Sequence, residues 1–249
     1  MFQGFYNLSG QMLTQTRNLN VISSNMANIS TPGYKNDTLV SGAFAQELIS
    51  RIGNKDKSPV PVGNMYLIKS AFSTTTDYED GAIQSTESPF DFALEGNGFF
   101  VVQTDDGEVY TRDGSFSLDE EGYLILPSVG RVQGIDGAIQ FDTDQFTVDR
   151  TGTIYREDGS IIGQLQIVDF ADYDQDLLKN GKNVFEAVGG AEMESTAVIH
   201  WMALEQSNVD PVEEMTAMME SQRSLQSAAQ VLSMYDQLME KMMSQLGPA

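Results

Sequence analysis

The chain of 249 residues has no cysteine, one histidine and one tryptophan, and its 14 basic residues face 36 acidic ones. Each shortage removes a class of function. Without thiols there is no disulfide, no thiolate metal site and no cysteine nucleophile. A single His200 excludes a multi-histidine zinc centre. A net charge of −22 and a pI near 4.1 argue against nucleic acid, whose phosphates are held by Lys and Arg clusters, and against an anionic membrane surface. No window is long and apolar enough to span a bilayer, so membrane insertion is not expected. Met1-Phe2-Gln3-Gly4-Phe5-Tyr6-Asn7 lacks the basic region and apolar run of a cleavable secretory signal. The expectation is a cytosolic chain, or one that leaves the cell by a route needing no cleaved signal. A hydrophobic content of 41% is enough for a core.

What the sequence does hold is a 3.5-residue apolar repeat at each end. From Phe5 the series runs Leu8, Met12, Leu19, Ile22, Met26 and Ile29, interrupted by Gln15. From Met215 it runs Met218, Leu225, Ala229, Leu232, Met239, Met243 and Leu246, interrupted by Gln222 and Asp236. Such spacing is the seam of a helix that supercoils with another, and polar residues on a seam set register and partner choice. The first helix is predicted over about Tyr6 to Asn28, with Arg17 its only charge, and stops at Ser30-Thr31-Pro32-Gly33. The second begins with Asp210 as N-cap, Pro211 at the first helical position and Glu213-Glu214 at the positive end of the dipole. Its many methionines suit a contact that tolerates small shifts. Each helix alone exposes its seam, so both are expected to be largely disordered in a free monomer.

Between them the period changes. Residues 34–80 read as an extended connector, with a short helical turn over Ala43–Ile49 and a break at Ser58-Pro59-Val60-Pro61-Val62-Gly63. Residues 81–205 read as many short strands with a turn about every ten residues, a compact antiparallel β domain. The fold class is therefore α+β: N- and C-terminal helices (1–33 and 206–249) pairing as a coiled coil around a central all-β domain.

No catalytic constellation emerges. The Gly96-Asn97-Gly98 segment runs into a strand and has Val101 where a dinucleotide fingerprint needs its third glycine. Gly159-Ser160-Ile161-Ile162-Gly163 has the wrong spacing for a nucleophile elbow. His200 has no acid or base placed beside it by the pattern. Asp169, Asp172, Asp174 and Asp176 resemble a calcium loop until Leu177 falls where the sharp-turn glycine belongs and Asn183 where the bidentate glutamate belongs. Asp105-Asp106 and Asp119-Glu120-Glu121 sit beside glycines, as turn residues do. No cofactor and no small-molecule substrate are indicated.

Three segments in order resemble the signatures of bacterial flagellar axial proteins of the rod and hook. Asn25-Met26-Ala27-Asn28-Ile29-Ser30-Thr31-Pro32-Gly33-Tyr34-Lys35 is similar to the N-terminal one. Ala93-Leu94-Glu95-Gly96-Asn97-Gly98-Phe99-Phe100-Val101-Val102 and Tyr110-Thr111-Arg112-Asp113-Gly114-Ser115-Phe116 are similar to the core one, and Ser207-Asn208-Val209-Asp210-Pro211-Val212-Glu213-Glu214-Met215 to the C-terminal one. Ser24 stands where the family often has a second Asn, and Met26 where it often has Leu. The resemblance implies a structural subunit of the basal-body rod, exported unfolded through the flagellar type III apparatus. Its terminal helices would pair with one another and with copies of the chain and neighbouring rod and hook proteins, and the β domain would form an outer layer. Hook proteins are longer, and Leu204–Val209 with the short region before Gly81 leans towards the proximal rather than the distal rod. The reading from a different class is an acidic, calcium-dependent adhesin.

Overall fold

The computed structural model describes residues 2–43, 46–51, 60–66, 69–142, 145–189 and 193–246. The chain divides into two compact units. One comprises residues 1–26, 37–75 and 210–249, and the other residues 27–36 and 76–209.

The first unit contains helices α1 (Phe2–Ala27) and α3 (Pro211–Leu246). Thr14 and Thr16 hydroxyls donate to the carbonyls of Gly10 and Met12, which satisfies polar groups on a helix almost without charge. α3 starts as its sequence predicts: the Asp210 carboxylate accepts from the N–H groups of Val212 and Glu213. The helices are antiparallel neighbours, tied by Asn18 Nδ2 donating to Ser221 Oγ (3.1 Å) and Asn25 Nδ2 donating to Glu214 Oε1 (2.9 Å). Each pair of anchors lies seven residues apart on its own helix, so both bonds fall on one face of each.

The region after α1 departs from expectation. Asp37–Ala43 and Lys69–Thr76 form one two-stranded sheet, and Gln46–Arg51 pairs antiparallel with Val60–Tyr66. The helical turn expected over 43–49 is thus replaced from Gln46 by a strand, while Phe44 and Ala45 lie outside the described residues. The break expected at 58–63 is likewise a strand from Val60, with Ser58 and Pro59 outside the described residues. Pro61 is tolerated because both strands of a two-stranded ladder are edges, and it sits opposite Ser50 beside a register shift at Ile49/Ser50.

The second unit is the β unit. A ten-stranded sheet runs in the order Leu177–Asn180, Val184–Ala187, Glu108–Thr111, Phe99–Gln103, Gly130–Gly134, Leu124–Leu126, Ser117–Leu118, with Gly137–Ala138, Ile167–Asp169 and Met193–Glu194 pairing off this path. The run Phe99–Val102 is buried on both sides, which is why it is continuously apolar instead of alternating. Phe100 and Val102 join Phe92, Leu94, Phe116, Leu124, Ile154 and Ile199 in the main core. Phe99 and Val101 point the other way, to Tyr110, Phe170, Leu177 and Phe185. Smaller sheets surround it: Phe146–Val148 with Thr153–Arg156 and Ile161–Gln164, Val198–Trp201 with Phe92–Glu95, and Ala203–Glu205 with Ile83–Ser85. The strand expected at 139–141 is reduced to a bridge between Gln140 and Tyr123, and that expected over 163–168 is split in two.

The acidic run at 169–176 is a capped helical turn, α2 (Tyr173–Asp176). The Asp172 carboxylate accepts from Asp174 N–H and Gln175 Nε2, and Asp169 accepts from the Tyr173 hydroxyl (2.5 Å). Its carboxylates therefore cap and brace this turn. Among the described residues, no group of three or more His, Asp or Glu side chains is placed to hold a metal. The acidic residues are unevenly divided: residues 76–209 hold 27 of the 36, with 6 of the 14 basic ones.

Candidate structural junction of the signature segments

The three signature segments, far apart in sequence, converge in the β unit on a buried ionic cluster. Lys35 Nζ lies 2.7 Å from Glu205 Oε1, each side chain 1% exposed. Arg112, equally buried, places Nη1 3.1 Å from Asp80 Oδ1 and 3.5 Å from Glu205 Oε2, and Nη2 donates to the Gly96 carbonyl (2.7 Å). Lys35 Nζ also donates to the Glu79 carbonyl, and Gly81 N–H to Glu205 Oε1. Asp80 returns to the core signature by accepting from Gly96 N–H. Burial pushes the Lys35 ammonium below the ordinary lysine range, while Glu205 pulls it back up. The Arg112 guanidinium stacks 5.2 Å from the centre of the Phe99 ring.

The backbone around the cluster explains the glycines. Gly33 has φ +63° and donates its N–H to the Glu205 carbonyl; a Cβ there would meet the Arg112 carbonyl at 2.3 Å. A Cβ on Gly114 would lie 1.7 Å from the Phe92 carbonyl oxygen. Thr31 Oγ1 donates to Asn28 Oδ1, and the Pro32 carbonyl accepts from Asn183 Nδ2. Tyr34 is buried under Lys179, whose ammonium stands 4.0 Å from its ring centre and donates to the Lys35 carbonyl. Asn208 closes the arrangement: Oδ1 accepts from Asn36 N–H (2.7 Å), and Nδ2 donates to the carbonyls of Asp77 and Glu79. Ser207 Oγ accepts from the N–H of the buried Val209. Nearby, burial raises the Asp113 carboxyl above the usual carboxylate range, opposed by the Ser115 hydroxyl and N–H that donate to it.

In the helical unit, Asn25 is a second junction. It is 1% exposed, donates to Glu214 and to the Asp37 carbonyl, and accepts from Asp37 N–H. These polar bonds decide which face of α1 turns inward. Ile22 is buried alongside Thr14 and Asn25, whereas Leu8, Met12, Gln15, Leu19, Met26 and Ile29 are half-buried. On α3, Glu214, Ser221 and Ala228 are buried, and Met218, Leu225, Leu232 and Met239 half-buried. Met215, Gln222, Asp236 and Met243 are exposed. Of the remaining signature positions, Gly98, Phe99 and Phe100 are buried, and Ala27 is exposed.

The sequence does not single out Asp80, Glu205, Asn18 or Ser221, and it marks Glu214 only as a charge at the start of α3. Glu205 carries one legible signal: the alternation Ala203-Leu204-Glu205 puts it on the face of the buried Ala203. The Asn18–Ser221 and Asn25–Glu214 pairs carry none, because their contacts cross 203 and 189 positions.

Known proteins share this arrangement of segments. Residues 5–35 match the family described as "Flagella basal body rod protein". Residues 93–162 match "Flagellar hook protein FlgE/F/G D1 domain", and residues 203–246 match "Flagellar basal body rod FlgEFG protein C-terminal". The chain is 31% identical to the flagellar basal-body rod protein FlgF of Caulobacter vibrioides over 251 residues, covering 98% of this chain and 97% of that protein. It is 29% identical to the rod protein FlgG of Buchnera aphidicola subsp. Acyrthosiphon pisum (92% and 94% covered) and 28% identical to FlgG of Bacillus subtilis (98% and 99%). Nothing in these relatives or in the capped turn at 169–176 supports a calcium-dependent adhesin. The order of the three matched segments and the near-complete coverage agree with the junction they build: this chain belongs to the flagellar basal-body rod protein family.

Proposed function

We propose that this rod protein assembles through the flanks of α1 and α3 that its own helix pair leaves open. The chain is a structural subunit of the basal body and carries out no catalysis. The observation that carries the assembly reading is the polar pairing of Asn18 with Ser221 and Asn25 with Glu214. It fixes the inward faces and leaves Val212, Met215, Met219, Met234, Leu238 and Met243 more than half exposed along α3. An apolar surface of that extent on one helix calls for a partner. The partners are copies of this chain and neighbouring rod and hook proteins, which meet the helices in a coiled-coil layer around the axis. The half-buried Met12, Leu19 and Met26 line the matching flank of α1, and Gln15, Gln222 and Asp236 set register there. In this reading 1–33 and 206–249 are the assembly segments, 34–80 connects them to the wall, and 81–205 is the outer wall. Export proceeds through the type III apparatus, and the position is the proximal rod. A chain ending at Asp210 tests this: it should retain a folded β unit yet fail to enter basal bodies. Completed rods and motility with that truncated chain would sink the reading.

A further inference from the structure

Among the described residues, Lys35, Arg112 and Glu205 are the fully buried charged side chains of the β unit, two cations and one anion. The other carboxylate of the cluster, Asp80, is 41% exposed at its side chain. Glu205 is separated from Arg112 by 93 positions and from Lys35 by 170. The strands that build both apolar clusters, from Phe92 to Trp201, all precede it. A core assembled without Glu205 would therefore enclose two neighbouring cations with only a half-exposed carboxylate to answer them. Leaving a buried charge without its partner is among the largest single penalties a fold can carry.

We propose that Glu205 is a completion latch, the group whose arrival allows the β unit to consolidate. A chain growing or threading from its N-terminus holds every strand of the main sheet before residue 205, yet stays short of a closed core until that carboxylate docks. The Glu205 backbone reinforces the side chain, since its carbonyl accepts from Gly33 N–H while the carboxylate accepts from Gly81 N–H. Closing the latch thus fixes the segments that flank both helices in one step. Asn208, three residues on, holds Asn36 in the same way.

Trp201, the only tryptophan, lies in the β unit with its indole N–H donating to the Pro89 carbonyl, and it reports folding of this unit in the full-length chain. Refolding and unfolding rates are to be measured for the wild type, Glu205→Gln, Lys35→Met and the double variant. A latch predicts that E205Q slows refolding by roughly a hundredfold or more and changes the unfolding rate little, because the pairing is already formed at the barrier. Removing one cation as well, in K35M/E205Q, should recover most of the lost rate. Wild-type refolding of E205Q, or a loss carried wholly by faster unfolding, would overturn the proposal. So would a double variant that folds no better than E205Q, including one that fails to fold at all.

Discussion

Asn25 Nδ2 lies 2.9 Å from Glu214 Oε1, a buried bond between the last turn of one terminal helix and the first turn of the other. Both residues are nearly inaccessible, and Asn25 also bonds both backbone groups of Asp37. The bond sets the rotation of each helix about its axis and so decides which apolar flank remains for neighbours.

Replacing Asn25 by Ala should therefore cost about 1–3 kcal/mol in the helical unit, since it strands the Glu214 carboxylate and the Asp37 backbone together. Glu214→Ala should cost less, because Asn25 keeps its two bonds to Asp37. The double variant should be less destabilised than the sum, and denaturant unfolding of the four chains measures that coupling. Strict additivity would mean that the two side chains do not act as a pair.

Asp113 gives a prediction with a sign. Its carboxyl is raised above 3.8 in the folded chain by burial, so the folded state binds that proton more readily than the unfolded one. The resulting stabilisation is present at low pH and is lost as pH rises through the raised value. Asp113→Asn removes the titration while keeping an acceptor for Ser115. The melting temperature of the variant relative to wild type should accordingly be highest near neutral pH and fall as pH is lowered towards 4. A difference that grows with acid would contradict the assignment.

Much of this fold is legible in the residues themselves. The terminal helices follow from their apolar repeat and from Asp210-Pro211, and the β unit follows from Phe99–Val102 and the glycine turns around it. The inward face of α1 is less legible. A repeat of Leu8, Met12, Gln15, Leu19 and Ile22 marks a stripe, but the side that turns inward is chosen by Asn18 and Asn25, whose partners lie at the other end of the chain. Pro61 hides the strands at 46–51 and 60–66 from a reading of the sequence, because a two-stranded ladder accepts a proline that a wider sheet would reject. The ionic cluster was hidden for the same reason as the Asn pairs. Nothing in the sequence says that Lys35, Asp80, Arg112 and Glu205 meet, and only Glu205, on the face of Ala203, shows that it turns inward.

The uneven charge also has a measurable consequence. With 27 acidic and 6 basic residues between Thr76 and Val209, the β unit repels itself, and mobile ions screen that repulsion over about 10 Å at 0.1 M. Raising sodium chloride from about 0.02 M to 0.5 M should raise the Trp201-monitored melting temperature by several degrees. A flat or falling response would show that the surviving ion pairs, such as Arg131 with Asp119 and Glu121, outweigh the repulsion.

In the function proposed above, the terminal helices hold this rod subunit in place. The most direct test is the position of a labelled copy in basal bodies purified from cells that make it as their only copy. The label is placed in the Asp105-Asp106-Gly107 turn of the β unit, whose two aspartates are exposed. Label should be confined to the rod, and should be lost when Met215, Met219 and Met243 are changed together to Ser. Label elsewhere on the cell envelope, or rods that retain the triple variant at full occupancy, would contradict it.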